Sequence, residues 1–258
     1  MRTVEAMCRL LGFVSHTETT IPDALGHDFE EFTALSAGLH GDGWGFSGER
    51  RGQRTLTVAA ESAHTSRDYD AVLRGSRVTS GIAHLRAATL DLPVSEANTH
   101  PFVHGDLSFA HNGSIREIAS IEPLIDADLR AGIRGDTDSE RYLLALVSEF
   151  RRASVVDAIR TVVSRLGEVA EEASLNALLL TPDELIIVAD DASKAPDFLG
   201  ADYYELAYRV GADFTAVASS GWQRDGWQRV PERSILTIDR RTQHVTVHEL
   251  DTVLTSAA

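Results

Sequence analysis

One cysteine occurs among the 258 residues, and it follows a second methionine, in Met7-Cys8, just ahead of the strand-like run Arg9 to Ser15. With Met7 as the true start and that methionine trimmed, Cys8 would carry a thiol and a free α-amine on one Cα. A thiol titrates near roughly 8.5 and an α-amine near roughly 7.7 to 8.0. An unprotonated amine is therefore at hand near neutral pH to take the thiol proton, directly or through one water, as a general base does. Taken alone, a single cysteine is more often a small buried apolar residue. The other segments of the chain decide between the two readings.

Four downstream segments carry side chains that suit a cysteine amidohydrolase. In Ala83-His-Leu-Arg86-Ala-Ala-Thr89, at the end of a predicted strand, the planar fork of Arg86 can grip a carboxylate through two parallel hydrogen bonds. A surface arginine is the bland alternative. Asn98-Thr-His100-Pro-Phe102 is a proline-punctuated turn in which His100 lines a pocket or caps a loop. Phe109-Ala-His111-Asn112-Gly113 runs from a strand into an Asn-Gly pair, ordinarily a hairpin turn. Read chemically, the Asn112 side-chain N–H and the unobstructed Gly113 backbone N–H make a two-donor oxyanion hole. Gly135-Asp-Thr137-Asp138-Ser-Glu140 precedes a helix, with Thr137 and Glu140 at capping-box spacing and Asp138 left to point outward at an ammonium group.

These residues need a scaffold, and the hydropathy pattern supplies one. From Leu10 to about Phe109, short β-like runs (10–15, 45–47, 55–60, 80–85 and 107–110) alternate with Gly, Asp and Ser, and Asp28 to Leu39 reads as a helix. Two packed helices follow, the first with Tyr142, Leu143, Leu146, Val147 and Phe150 on one face, the second with Val155, Ile159, Val162, Val163 and Leu166. The last third predicts three hairpins, turning at Thr181-Pro-Asp183, at Gly211 and at Asp239 to Gln243. A strand block, a helix pair and a second strand block, with no linker or repeat between them, predict one α+β domain over residues 8–258, two antiparallel sheets stacked and covered by helices. Residues 1–7 carry no periodic signal and read as an N-terminal extension or a mis-assigned start.

Composition narrows the function. A hydrophobic content of 43% is ample for a core, and one cysteine allows no internal disulfide. Nothing resembles a signal-peptide core or an apolar span of about 20 residues, so a cytoplasmic protein is expected. The net charge of -15 disfavours nucleic acid and anionic membrane as partners. His40, Asp42, His84, His100, His104 and His111 form no compact ligand spacing on one predicted helix. No metal and no other cofactor is expected.

Taken in order, the segments resemble the class II glutamine amidotransferases, the N-terminal-nucleophile glutaminases, over about residues 8 to 140. The resemblance implies a four-layer αββα sandwich, a layer count that periodicity alone does not supply. It implies Cys8 as the nucleophile with its own α-amine as base, Arg86 as the ligand of the glutamine α-carboxylate, and Asn112 with Gly113 as the oxyanion pair. Asp138 would hold the substrate α-amino group, and Thr89 and His100 would support the pocket. His40-Gly-Asp42-Gly-Trp44-Gly45 is similar to a segment of the small stand-alone members, which makes His40, Asp42 and Trp44 a candidate pocket loop. A glycine-rich turn burying Trp44 is the equal alternative.

Two departures from the family pattern, Leu90 in place of a histidine and Ala87 in place of an aromatic residue, alter the carboxylate end of the pocket and favour a γ-glutamyl group over glutamine itself. The implied reaction hydrolyses the γ-amide of glutamine or of a γ-glutamyl conjugate, releasing glutamate and ammonia or an amine, with or without an ammonia-accepting partner enzyme. The alternative is a catalytically inactive module of the same fold that binds an amino acid or a partner. That follows if residues 1–7 stay in place and block the amine.

Overall fold

Side-chain alternation along the strands decides the layering. The computed structural model describes residues 8–88, 92–170, 174–191 and 202–251. Among them, one sheet runs β11 (Gln228–Arg229), β9 (Leu206–Val210), β10 (Phe214–Ser219), β1 (Arg9–Thr19), β4 (Val78–Arg86), β2 (Gly43–Arg50) and β3 (Gln53–Ala59). The other runs β13 (Val245–Glu249), β12 (Ser234–Asp239), β8 (Glu184–Ala189), β7 (Ser174–Leu180), β6 (Leu107–Ser114) and β5 (Phe102–His104). Neighbouring strands pair antiparallel.

Successive side chains of a strand point to opposite faces, and in β1 both faces are buried. Leu11 and Phe13 pack with Ile21, Phe29, Phe32 and Tyr69 from α1 (Ile21–Leu25), α2 (His27–Ala34) and α3 (Arg67–Gly75). Leu10 and Val14 instead meet Leu178, Leu185, Ile187 and Leu236 of the second sheet. The far face of that sheet sets Phe109, Leu175 and Ile186 against Tyr142, Leu146, Ile159 and Leu166 from α6 (Asp138–Phe150) and α7 (Val155–Val169). The short α4 (Ile118–Ile121) and α5 (Ala127–Arg130) bridge β6 to α6. The result is the αββα sandwich. Each fully buried leucine or phenylalanine contributes roughly 1.5–3 kcal/mol over exposure, so both faces of β1 anchor the layers.

The three predicted hairpins form as β7–β8, β9–β10 and β12–β13, but the middle one joins the first sheet beside β1 while the others build the second. The early helix differs from expectation. It begins at Ile21, because the Thr20 hydroxyl accepts the Asp23 N–H at 3.1 Å and Pro22 fits the first turn. Gly26, at φ 57°, divides it, and it ends by Ala37. Helix α3 was not predicted; Ser66 caps it through the Tyr69 N–H at 3.2 Å. Among the described residues no helix is long and apolar enough to cross a membrane.

Candidate active site

The head of β1, the tail of β4, the tail of β6 and the N-terminus of α6 meet around a cavity of about 320 Å³, part of it open to solvent. Cys8, Arg86, His100, Gly113 and Asp138 all stand on its walls. The Cys8 thiol donates to the Ala87 carbonyl at 3.6 Å, and this is its hydrogen bond among the described residues. Burial pushes the thiol up to about 11, against the pull of that hydrogen bond and of the Arg86 and Arg9 charges. Roughly one thiol in ten thousand is then ionised at neutral pH, so attack by this sulfur needs a base. Arg9 donates to the Cys8 carbonyl at 2.9 Å and lies over the Tyr203 ring, fixing the backbone at the head of the strand.

Arg86 is 3% exposed. One of its terminal nitrogens, Nη2, donates to the Pro93 carbonyl at 3.1 Å, and the other, Nη1, has no partner among the described residues. Burial lowers its pKa, against the pull of the Cys8 and Asp42 charges. A buried guanidinium left in this state is costly unless a ligand completes it. Asp42 pins the loop behind it: its carboxylate accepts the Ala88 N–H at 2.8 Å while its own N–H donates to the Arg86 carbonyl at 3.1 Å. The His84 and His100 rings lie 4.2 Å apart between centroids, tilted by 39° and both buried. Burial and the Arg86 charge push His84 down to about 3, against the pull of the His111 carbonyl. Burial and the neighbouring His84 push His100 well below the usual histidine range. The His100 backbone reaches this place because Gly45 has no side chain: a Cβ there would lie 2.0 Å from the His100 oxygen.

The tail of β6 carries the rest. Asn112 is fully buried, and among the described residues neither its amide nitrogen nor its amide oxygen has a partner. It is not on the cavity wall; strand alternation places it on the inter-sheet face with Ala110, the face that Leu10 continues toward Cys8. Gly113 is required by its neighbours, since a Cβ would stand 1.9 Å from the Ser174 oxygen and 2.4 Å from His111 Nε2. His111 bonds that oxygen through Nε2 at 2.8 Å and the Ser139 hydroxyl through Nδ1 at 2.9 Å. In α6 the Thr137 hydroxyl accepts the Glu140 N–H at 3.2 Å, as predicted. The reciprocal half of the capping box is not made, because the Glu140 carboxylate turns back to the N–H groups of Arg134 and Gly135. Asp138 accepts the Ile115 N–H at 2.6 Å, which ties α6 to the end of β6.

The Arg86 guanidinium, the Asp138 carboxylate and the Cys8 thiol thus line one cavity. The sequence model described as glutamine amidotransferases class-II matches residues 7–195. The chain belongs to that family. Among curated relatives, the probable glutamine amidotransferase DUG3 of Saccharomyces cerevisiae is 28% identical over 62% of this chain and 57% of its own length. The gamma-glutamyl-hercynylcysteine sulfoxide hydrolase of Mycolicibacterium smegmatis is 26% identical over 82% of this chain and 83% of its own. The glutamine–fructose-6-phosphate aminotransferase of Brucella suis is 31% identical over 54% of this chain and 21% of its own. The chain thus spans little more than half of the yeast relative and about a fifth of the Brucella one. A class-II glutamine aminotransferase domain protein from Silicibacter pomeroyi shares the fold, with a TM-score of 0.68 at 17% identity over 94% of this chain and 99% of its own. The glutamine phosphoribosylpyrophosphate amidotransferase of B. subtilis does so at 0.66 and 17%, over 95% of this chain and 50% of its own.

Trp44 is fully buried in the helix-side core, edge-on to Tyr69 at 5.2 Å, and His40 bonds the Leu35 carbonyl at 3.2 Å. Neither they nor Asp42 stand on the cavity wall. Thr89, Leu90 and residues 1–7 lie outside the described residues. Residues to which the sequence assigns no role in the site also line the cavity: His111, Ser139 and Asn98. Asn98 accepts the Asp136 N–H at 2.8 Å and donates to the Pro93 carbonyl at 3.2 Å, joining the two loops beside the cavity. Its place beside His100 in Asn98-Thr-His100-Pro was the available signal.

Proposed function

We propose that this chain hydrolyses the γ-amide of a γ-glutamyl compound, glutamine or a γ-glutamyl conjugate, with Cys8 as an N-terminal nucleophile once residues 1–7 are removed. The observation that carries the reading is the buried, half-satisfied Arg86 fork facing the same cavity as Asp138 and the Cys8 thiol. Arg86 takes the α-carboxylate of the glutamyl group and Asp138 its α-ammonium, with Thr89 and His100 shaping the pocket. The γ-carbonyl carbon is thereby presented to sulfur.

The amine of a trimmed Cys8 accepts the thiol proton, and the thiolate attacks the γ-carbonyl. The oxyanion receives hydrogen bonds from the Asn112 amide, which has no partner among the described residues, and from the Gly113 N–H. The Cys8 ammonium protonates the leaving nitrogen, the C–N bond breaks, and water then cleaves the thioester to free glutamate and regenerate the thiol. Released ammonia would pass to a partner enzyme; a γ-glutamyl conjugate needs no acceptor. Alignment of the mycobacterial γ-glutamyl hydrolase along most of both chains favours the conjugate.

The test is covalent labelling with an electrophilic glutamine analogue, read by intact mass on protein that begins at Cys8 and on protein that keeps residues 1–7. The trimmed form should be labelled at Cys8 and should release glutamate from glutamine or a γ-glutamyl anilide; the longer form should do neither. A trimmed protein that is unlabelled and inert toward both substrates refutes the proposal and leaves an amino-acid-binding module.

A further inference from the structure

Counting protons around Ser139 exposes a contact the protein cannot satisfy alone. His111 Nε2 lies 2.8 Å from the Ser174 carbonyl, which can only accept, so Nε2 carries a proton. In a neutral imidazole Nδ1 is then an acceptor, and it lies 2.9 Å from the Ser139 hydroxyl. The same hydroxyl lies 3.1 Å from Asp138 Oδ1, another acceptor. One proton faces two acceptors. The other carboxylate oxygen of Asp138, Oδ2, already takes the Ile115 N–H at 2.6 Å.

We propose that His111 and Ser139 are positioning residues that keep Asp138 Oδ1 open for the ligand's α-ammonium. Neutral His111 draws the Ser139 proton to Nδ1, which turns the hydroxyl lone pairs and Asp138 Oδ1 together toward the cavity, two acceptors for one ammonium. Protonated His111 reverses the arrangement: Nδ1–H donates to Ser139, Ser139 donates to Asp138, and the ammonium site is filled from within beside a new positive charge. The ligand's ammonium and the second proton on His111 therefore exclude each other.

The surroundings favour the neutral form. The ring is 1% exposed, and burial lowers its pKa while Asp138 and the Ser174 carbonyl raise it. Facing it are Asp138 from α6, the Tyr142 ring edge at 5.4 Å from the same helix, and the buried imidazoles of His84 on β4 and His100 on the loop before β5, with the Arg86 charge close to both. A proton on His84 or His100 would oppose one on His111.

The inference rests on the ligand assignment above, and the test separates the two. In Cys8→Ala protein beginning at residue 8, ring-¹⁵N spectra of His111 and calorimetric binding are recorded with L-glutamine and with its des-amino analogue 4-carbamoylbutanoate. His111 should appear as the Nε2–H tautomer at neutral pH, and saturating L-glutamine should move its titration to lower pH, whereas the analogue should leave it in place. Ser139→Ala should weaken L-glutamine binding about tenfold, the value of one hydrogen bond to a charged group, and leave the analogue unchanged; Ser139→Thr should restore it. An Nδ1–H tautomer, a titration indifferent to L-glutamine, or equal losses for both ligands in Ser139→Ala overturns the relay while the ligand assignment stands. Failure of both ligands to bind the parent protein removes the assignment and the relay with it.

Discussion

His84 makes the acid limit of this protein calculable. Its ring is fully buried and its pKa is pushed down to about 3, whereas in an unfolded chain it titrates near roughly 6.5. Between those values the unfolded state binds one proton more than the folded state, so stability falls as pH falls. The full contribution is present above the unfolded pKa, the loss runs at about 1.4 kcal/mol per pH unit below it, and it levels off near the folded value. From about pH 7 to pH 5, His84 alone removes about 2 kcal/mol, and His100 acts in the same direction. Set against a typical total of roughly 5–15 kcal/mol, this is a large fraction. The perturbation is His84→Gln, which removes the titration but keeps a polar side chain. The assay is urea unfolding at a series of pH values between about 7.5 and 4.5, with stability from linear extrapolation. Carboxylates contribute equally to both proteins, so the difference in slope isolates the histidine: the wild type should be steeper by about 1.4 kcal/mol per pH unit below about pH 6. Parallel curves would show that the His84 pocket admits the charged ring, and the reasoning about its burial would fail.

Three further outcomes are expected. Asn112→Ala should lower turnover on the order of a hundredfold or more, the usual effect of losing one oxyanion donor, with little change in melting temperature because the amide bonds none of the described residues; kinetics and a thermal melt check both. Arg86→Met should raise KM for a γ-glutamyl substrate by roughly tenfold to a hundredfold without lowering the stability of the ligand-free protein, since a buried, half-satisfied guanidinium is replaced by an apolar chain of similar length; substrate titration and urea unfolding read the two effects separately. Gly113→Ala should cost stability and activity together, because its Cβ would overlap the Ser174 carbonyl that His111 also bonds, and unchanged unfolding in that variant would contradict the register of β6 on β7.

Local signals were legible where local physics decides. The paired faces of α6 and α7 and the three hairpins follow from helical and strand spacing, and Thr137 announced the start of α6. Two further local signals exist: Thr20-Ile-Pro22-Asp23 starts the first helix, and Ser66 with Tyr69 and Leu73 makes α3, a single exposed-side helix with few apolar residues. What no window could show is pairing across the chain. β1 lies between β4 and β10, so Leu11 stands opposite both Ala83 and Ala218, and only that register decides that Trp44 faces the helices. The same holds for the site. Cys8, Arg86, His100, Gly113 and Asp138 were named from segments, whereas His111 and Ser139 acquire meaning from bonds that span 28 and 63 residues.

The register that closes the sheets also sets the chemistry. Arg9 pairs with Leu85 and Gly43 with Arg86, which brings the head of β1, the tail of β4 and the head of β2 to one end of the first sheet. In the second sheet Gly113 opposite Leu175 brings the tail of β6 to that end as well. A slip of one residue in β4 would exchange its two faces, carrying Arg86 and His84 into the helix layer and Leu85 into the cavity. Two glycines oppose displacement at the site, Gly45 against the His100 carbonyl and Gly113 against the Ser174 carbonyl, each leaving room for backbone but not for a Cβ. The polar groups held there, the Arg86 Nη1, the Asn112 amide and the His100 ring, lack hydrogen-bond partners among the described residues and so lower the stability of the ligand-free fold. The three apolar slabs must offset them, and a γ-glutamyl ligand that completes the fork and the amide should raise the melting temperature in proportion to its occupancy.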